Sequence, residues 1–383
     1  MLEPFRDPAL VEGLVAAITR EAAPDRTYRL MEFCGGHTHA IFRYGILDRL
    51  PPSIRMVHGP GCPVCVLPQS RVRYAVALAE LPNTIVCSYG DLLRVPDADG
   101  MSLLKARANG ADARMVYSTT DALELARKHP DRVVLFIAIG FETTAPATAI
   151  ALKIAEAERL SNFFVLSNHV LTPPAVQHIL EAPDVRQLGK VRIDGFIGPA
   201  HVSTVIGSAP FEFFAAEHER PVVIAGFEPV DLLQAVLMLV RQLNEGRAEV
   251  ENQYLRAVRR DGNPTAKKVV SEVFELRRSF EWRGLGEVPY SGLKLRERFE
   301  GFDAELRFPM EIPRRPEPKG CLCPAILRGA AMPHDCKLFG TTCTPDSPIG
   351  SCMVSSEGAC SAYFTYEGAA PKRSPHRSLR QVD

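Results

Sequence analysis

The sequence has no excess of charge, no long apolar run and no nucleotide-binding fingerprint. Forty-five Lys and Arg balance forty-five Asp and Glu, so no overall field draws nucleic acid or an anionic membrane surface to the chain. The longest nearly apolar stretch, Val133 to Phe141, falls well short of the roughly 18 residues that a membrane-spanning helix requires. The N-terminal residues lack the basic-then-apolar pattern of an export signal. These absences predict a soluble, cytoplasmic protein that binds neither membrane nor nucleic acid. Also missing are GxxxxGK[ST], GxGxxG after a strand, GxSxG and HExxH, so nucleotide-driven and hydrolytic chemistry has no support. The rest of the composition is ordinary. With 383 residues, 46% hydrophobic and 23% charged, the chain is globular rather than disordered or fibrous, and long enough for about two or three domains.

What is abundant is cysteine. There are ten, and six of them (Cys321, Cys323, Cys336, Cys343, Cys352 and Cys360) fall within 40 residues; the others are Cys34, Cys62, Cys65 and Cys87. In a large chain without an export pattern, such clustering points to metal ligands or redox thiols rather than a disulfide framework.

Short β-rich segments recur near residues 28–33, 54–58, 84–88 and 114–117, and again near 133–139, 163–167, 193–197 and 222–225. Each leads into a Gly-, Pro- or Ser/Thr-rich turn and then a helix-compatible stretch, the pattern of βα units in a parallel sheet. The fourth segment of each series precedes a helix start carrying an aspartate, Asp121 and Asp231, which suits a first turn. The predicted fold is α/β, with two similar Rossmann-like parallel-sheet lobes and a smaller C-terminal domain. The expected division is a capping helix in 1–24, a first lobe in 25–130, a second lobe in 131–245 and the cysteine-rich domain in 246–383. The last residues, APKRSPHRSLRQVD, read as a disordered basic tail. Ligands of open α/β sheets bind at the C-terminal strand ends.

Three loops at such ends carry reactive residues. In EFCGGHTHAIFRYG, Cys34 lies at a helix start near His37 and His39, a setting expected to make it a thiolate near neutral pH, either nucleophile or soft metal ligand. HGPGCPVC holds Cys62 and Cys65 in a Cys-x-x-Cys, suited to a redox pair or to half of a metal site; no second close pair lies nearby, which favours redox work. GFETTAP places Glu142 as a candidate proton donor or acceptor facing that thiolate across a cleft. His169 and His201 are second-rank candidates, and Cys87 reads as a small core residue.

The C-terminal spacing, C-x-C-x12-C-x6-C-x8-C-x7-C, matches neither a zinc finger nor a compact ferredoxin run. It suits an iron–sulfur cluster on four cysteines with two thiols left over, or zinc. Tetrahedral sulfur does not separate the two. The Cys-x-x-Cys pair favours iron, because zinc has no electrons to give it.

CGGHTHAIFRYG, GPGCPVC, GFETTAP and CKLFGTTCTPDSPIGSCMVSSEGACSAYF together resemble the HypD family of hydrogenase maturation proteins. The resemblance implies a scaffold and redox protein, not a conventional turnover enzyme. With a HypC-type small chaperone and HypE it would assemble the Fe(CN)2CO group of [NiFe]-hydrogenase, and the chaperone would connect it to the hydrogenase large subunit. It implies iron, as Fe(II) carrying CN and CO, on Cys34, redox work at Cys62 and Cys65, and His37 and Glu142 lining the site. It also implies a [4Fe–4S] cluster on Cys336, Cys343, Cys352 and Cys360, with Cys321 and Cys323 spare unless Cys323 replaces one of the four. An iron–sulfur-dependent thiol/disulfide oxidoreductase is the alternative, and a zinc-stabilised binding module a third reading.

Overall fold

The computed structural model describes residues 3–181, 192–313 and 315–368, so the basic tail lies outside the described residues. Among the described residues nine parallel strands form two sheets. They are β1 (Tyr28–Glu32), β2 (Ile54–His58), β3 (Thr84–Ser88), β4 (Ala113–Met115), β5 (Val133–Gly140), β6 (Phe163–His169), β7 (Gly195–Pro199), β8 (Val222–Ala225) and β9 (Val250–Asn252). The first sheet runs β2-β1-β7-β8-β9 and the second β4-β3-β5-β6. Counted within each sheet, both begin 2-1-3-4, so the two lobes share one winding, with the order reversing beside β1 in one and beside β3 in the other.

The predicted boundary between residues 130 and 131 therefore does not separate the lobes. It falls inside the second sheet, where β3 pairs with β5 from Thr84↔Val133 to Cys87↔Phe136. The first sheet is built from both ends of the α/β region, with β1 paired to β7 through Leu30↔Gly195. The lobe holding β3–β6 is thus an insertion between β2 and β7. Regular strand spacing identifies the units but not which of them pair, because any βα unit can cross over to either sheet edge.

The strands owe their length to burial on both faces. In β5, VVLFIAIG, all residues but the first are buried, as a parallel sheet covered by helices demands. Alternate side chains serve different cores: Leu135, Ile137 and Ile139 join the large central one, while Val134, Phe136 and Ala138 pack under the outer helices. The predicted aspartates occupy first turns, Asp121 in helix Thr119–Lys128 with a reciprocal cap from Ser118, and Asp231 in helix Pro229–Glu245. The predicted N-terminal helix spans Pro8–Glu21, capped by Asp7, which accepts from Ala9 N at 2.8 Å.

Beyond β9 come two small antiparallel hairpins, β10 (Phe274–Leu276) with β13 (Leu293–Leu295) and β11 (Ser279–Trp282) with β12 (Gly286–Pro289). The cysteine-rich segment then returns to the first lobe, where its last helix, Ala359–Glu367, lays Tyr363 on Phe42 with ring centroids 4.3 Å apart. Among the described residues no helix is long and apolar enough to cross a membrane.

Candidate functional site

The C-terminal ends of both sheets meet at a cleft of about 530 Å³. Its walls are the loops after β1 (Cys34, Gly35), β2 (Gly61, Pro63), β3 (Asp91), β4 (Tyr117), β5 (Thr143, Thr144) and β7 (His201), closed on one side by Ser355–Glu357 of the cysteine-rich segment. Among the described residues the lining includes two carboxylates, Asp91 and Glu357, and no lysine or arginine.

Cys34 is the residue before helix Gly35–Arg43, at the point where the strand order of the first sheet reverses, the position at which such folds bind ligands. The N–H groups of Gly36 and His37 reach its sulfur, but burial outweighs them, and the Glu357 and Glu32 carboxylates add to it, so the thiol is pushed up to about 12. The predicted thiolate is therefore a protonated thiol in the free protein, since a helix N-terminus is worth less than desolvation beside two acids. Nor does His37 supply positive charge. Burial lowers its pKa; its Nε2 donates to Ala225 O at 2.9 Å, and its Nδ1 has no hydrogen-bond partner among the described residues.

Cys62 and Cys65 are joined by a disulfide and both are buried. Cys62 precedes the short helix Pro63–Val66. Because β1 and β2 are neighbours, this loop lies directly on the Cys34 loop, with Gly35 N donating to Gly61 O at 2.9 Å. On its far side Ser351 Oγ donates to Cys65 O at 3.0 Å, and Ser351 O lies 4.0 Å from Cys65 Sγ. Cys352, the next residue, belongs to the thiol cluster. The disulfide thus sits in a loop whose Gly61, Pro63 and Val64 line the cleft, while Cys65 contacts Ser351, the residue before Cys352.

In that cluster Cys323, Cys352 and Cys360 are in mutual hydrogen-bond contact, and Cys321 bonds to Cys323. The Cys323 and Cys360 thiols draw the Cys352 pKa down, and Cys360 is pushed up in turn. Cys343, whose sulfur accepts from Ile349 N at 3.3 Å, completes the group. Cys336 stands at the rim, half-buried, with its sulfur 3.5 Å from Gly320 O. Cys321, expected as spare, and Cys323, expected as spare unless it replaced one of the four ligands, both belong to this contact group, whereas the sulfur of Cys336, expected as a ligand, contacts Gly320 O. Among the described residues no three His, Cys, Asp or Glu side chains converge on a single-ion site. An all-sulfur set of this kind is chemically compatible with soft metals, zinc and iron–sulfur alike.

Glu142 lies elsewhere. Its carboxyl accepts from Thr172 N at 2.8 Å and from Thr172 Oγ1 at 3.0 Å, lines a second, apolar cavity of about 440 Å³, and is pushed up to about 7 by burial. It is not among the residues lining the Cys34 cleft. Of the second-rank histidines, His201 reaches that cleft, whereas His169 is held by Thr148 Oγ1 at 3.0 Å and kept neutral, its pKa brought to about 4 by burial. Cys87 is a core residue.

Sequence reasoning missed Glu32, His58 and Glu357. Glu32, fully buried at the end of β1, accepts from Cys34 N at 3.1 Å and from Thr38 Oγ1, and pairs with His58 Nδ1 at 2.7 Å. His58 Nε2 lies 3.3 Å from the Tyr363 hydroxyl, so this chain ties the Cys34 loop to the cysteine-rich segment. The available signal was an ionisable residue, Glu32 or His58, ending each of two strands, YRLME and IRMVH, directly after two apolar residues. Glu357 packs on Gly35 across the cleft, with its pKa raised to about 6 by burial and by Asp91 and Glu32.

The HypD family model, described as the hydrogenase formation hypA family, matches residues 9–367. The chain is 63% identical to hydrogenase maturation factor HypD2 of Bradyrhizobium diazoefficiens, covering 94% of this chain and 95% of the relative. It is 60% identical to HypD of Rhizobium leguminosarum bv. viciae, covering 100% and 98%, and 44% identical to HypD of Escherichia coli K12, covering 95% and 97%. Agreement over this much sequence leaves one assignment: the chain belongs to the HypD family of hydrogenase maturation factors.

Proposed function

We propose that this protein is the scaffold on which the Fe(CN)2CO group of [NiFe]-hydrogenase is assembled, with iron bound at Cys34 together with a HypC-type chaperone and cyanide received from HypE. The observation that carries the reading is the shared cleft: a buried thiol and two carboxylates open to one pocket, one wall of which is the loop that holds the Cys62–Cys65 disulfide, and Cys65 contacts Ser351 beside Cys352.

Ferrous iron is the cargo. Asp91 and Glu357 give the pocket the negative potential that attracts a divalent cation. Binding displaces the proton of Cys34 Sγ, and the Gly36 and His37 N–H groups then stabilise the metal-bound thiolate. Cyanide arriving as a partner's thiocyanate needs two electrons. A Cys62/Cys65 dithiol supplies them in one step: the S–CN bond breaks, the partner's sulfur leaves as a thiol with one proton, the second proton is released, cyanide passes to iron and the disulfide forms. The C-terminal thiols, Cys321, Cys323, Cys343, Cys352 and Cys360 with Cys336 at the rim, would hold a [4Fe–4S] cluster, which when bound supplies electrons one at a time to restore the dithiol.

The alternative is a thiol/disulfide oxidoreductase acting on other proteins. Cys62 is 3% and Cys65 0% exposed, so either reading requires the loop after β2 to open before a partner's sulfur reaches the pair. The reading is tested with Cys34→Ala mixed with the chaperone: infrared cyanide and carbonyl bands of the iron are expected to vanish, and bands at full strength would refute the ligand assignment.

A further inference from the structure

Arg283 lies in the turn joining β11 to β12. Its backbone N–H donates to Val66 O, in the last residue of the disulfide helix, at 2.8 Å. The next residue, Gly284, lies against Pro324, which follows Cys323. The turn is therefore wedged between the disulfide and the thiol cluster. The Arg283 side chain is 1% exposed, its Nε lies 3.1 Å from Glu317 Oε1, and neither Nε nor Nη2 has a hydrogen-bond partner among the described residues. Glu317 is itself more exposed, at 27%, and is shared with Gln69 Nε2 at 3.2 Å. A buried guanidinium so weakly compensated is costly, unless negative charge arrives beside it. Cys323 and Cys352 are in contact, and Ser351, the residue before Cys352, donates to Cys65 O at 3.0 Å.

We propose that Arg283 is a positioning charge for electron transfer: its field stabilises the reduced form of an iron–sulfur cluster held around Cys352 and raises that cluster's reduction potential next to the Cys62–Cys65 disulfide. This rests on the cluster reading given above. One electron entering the cluster adds one negative charge, which a fixed cation nearby favours.

The test is an anaerobic potentiometric titration of the full chain with dithionite, followed by electron paramagnetic resonance, with iron and sulfide measured on the same samples. Arg283→Met is expected to lower the one-electron reduction equilibrium constant about tenfold, a shift of 59 mV. Arg283→Lys, which keeps the charge, retains most of the wild-type value, and Glu317→Gln, which removes the opposing charge, shifts the midpoint upward. A purely structural role would not move the two charge variants in opposite directions. Arg283→Met with wild-type iron content and an unchanged midpoint overturns the inference. If that variant fails to fold or to load, Glu317→Gln decides: an upward shift supports the inference and an unchanged midpoint overturns it. Wild-type protein without cluster iron and sulfide refutes the cluster reading and this inference together, whereas a loaded protein with an insensitive midpoint refutes the inference alone.

Discussion

Replacing Gly61 by alanine puts the contact between the two reactive loops under direct load. A methyl group there would sit 2.4 Å from Cys34 N, 2.5 Å from Phe33 C and 2.7 Å from Cys34 Cα, where ordinary contact begins at 3.4 Å. All three are backbone atoms, so no side chain can swing aside, and the loops must part by about 1 Å. Overpacking of this kind costs about 1–3 kcal/mol, or about 1–4 °C in thermal midpoint for a chain this size. The site suffers more than the fold, because a displacement of about 1 Å at a reacting centre costs roughly a hundredfold. The assay pairs thermal unfolding with the infrared cyanide bands of the chaperone complex. Gly13→Ala serves as the control: that glycine is exposed within helix Pro8–Glu21 with nothing within 4 Å of the added methyl, and alanine there should stabilise by about 0.5–1 kcal/mol. Gly61→Ala protein with wild-type midpoint and full cyanide bands would show that the two loops do not press on each other as described.

The Cys34 thiol, with its pKa near 12, should alkylate with iodoacetamide about a thousandfold more slowly at neutral pH than an ordinary cysteine; mass spectrometry of metal-free protein showing an ordinary rate would contradict its environment. Glu142 holds its proton to about 7 when folded, against 4.5 in the unfolded chain, so its contribution is fully present below pH 4.5 and is lost as pH rises to 7. That loss amounts to about 3 kcal/mol. Urea unfolding at pH 5 and 7.5 should therefore show a smaller pH difference in Glu142→Gln than in wild type, and equal slopes would refute the assignment.

The strands were legible because parallel strands covered on both faces must be nearly all apolar, and VVLFIAIG and FFVLS satisfy no other structure as well. Sheet membership was not legible. Nothing in Ile54–His58 announces that the next strand belongs to another sheet, or that the partner of Tyr28–Glu32 lies at Gly195–Pro199. The Cys34 and Cys62 loops were legible because cysteine beside glycine is chemically unusual at a strand end. The Cys34 pKa was not, because it depends first on depth of burial and then on Glu357, more than three hundred residues away in sequence. Glu142 was misplaced for the same reason: a motif fixes which strand end a residue occupies, not whether its side chain turns toward the cleft or toward Thr172.

The interleaved sheets carry a consequence for the protein's synthesis. β1 finds only one neighbour, β2, until β7 has been made, and the cleft wall formed by Ser355–Glu357 comes later still. At a translation rate of about 5–20 residues per second, Cys34 waits roughly 15–65 s before Glu357 exists. The inserted lobe of β3–β6 has all its strands well before then and can fold while β1 and β2 are still held open. Cys34 is thus among the first groups of the cleft to be made and is enclosed last. A nascent chain offers iron an exposed cysteine, and only the completed chain offers it a site.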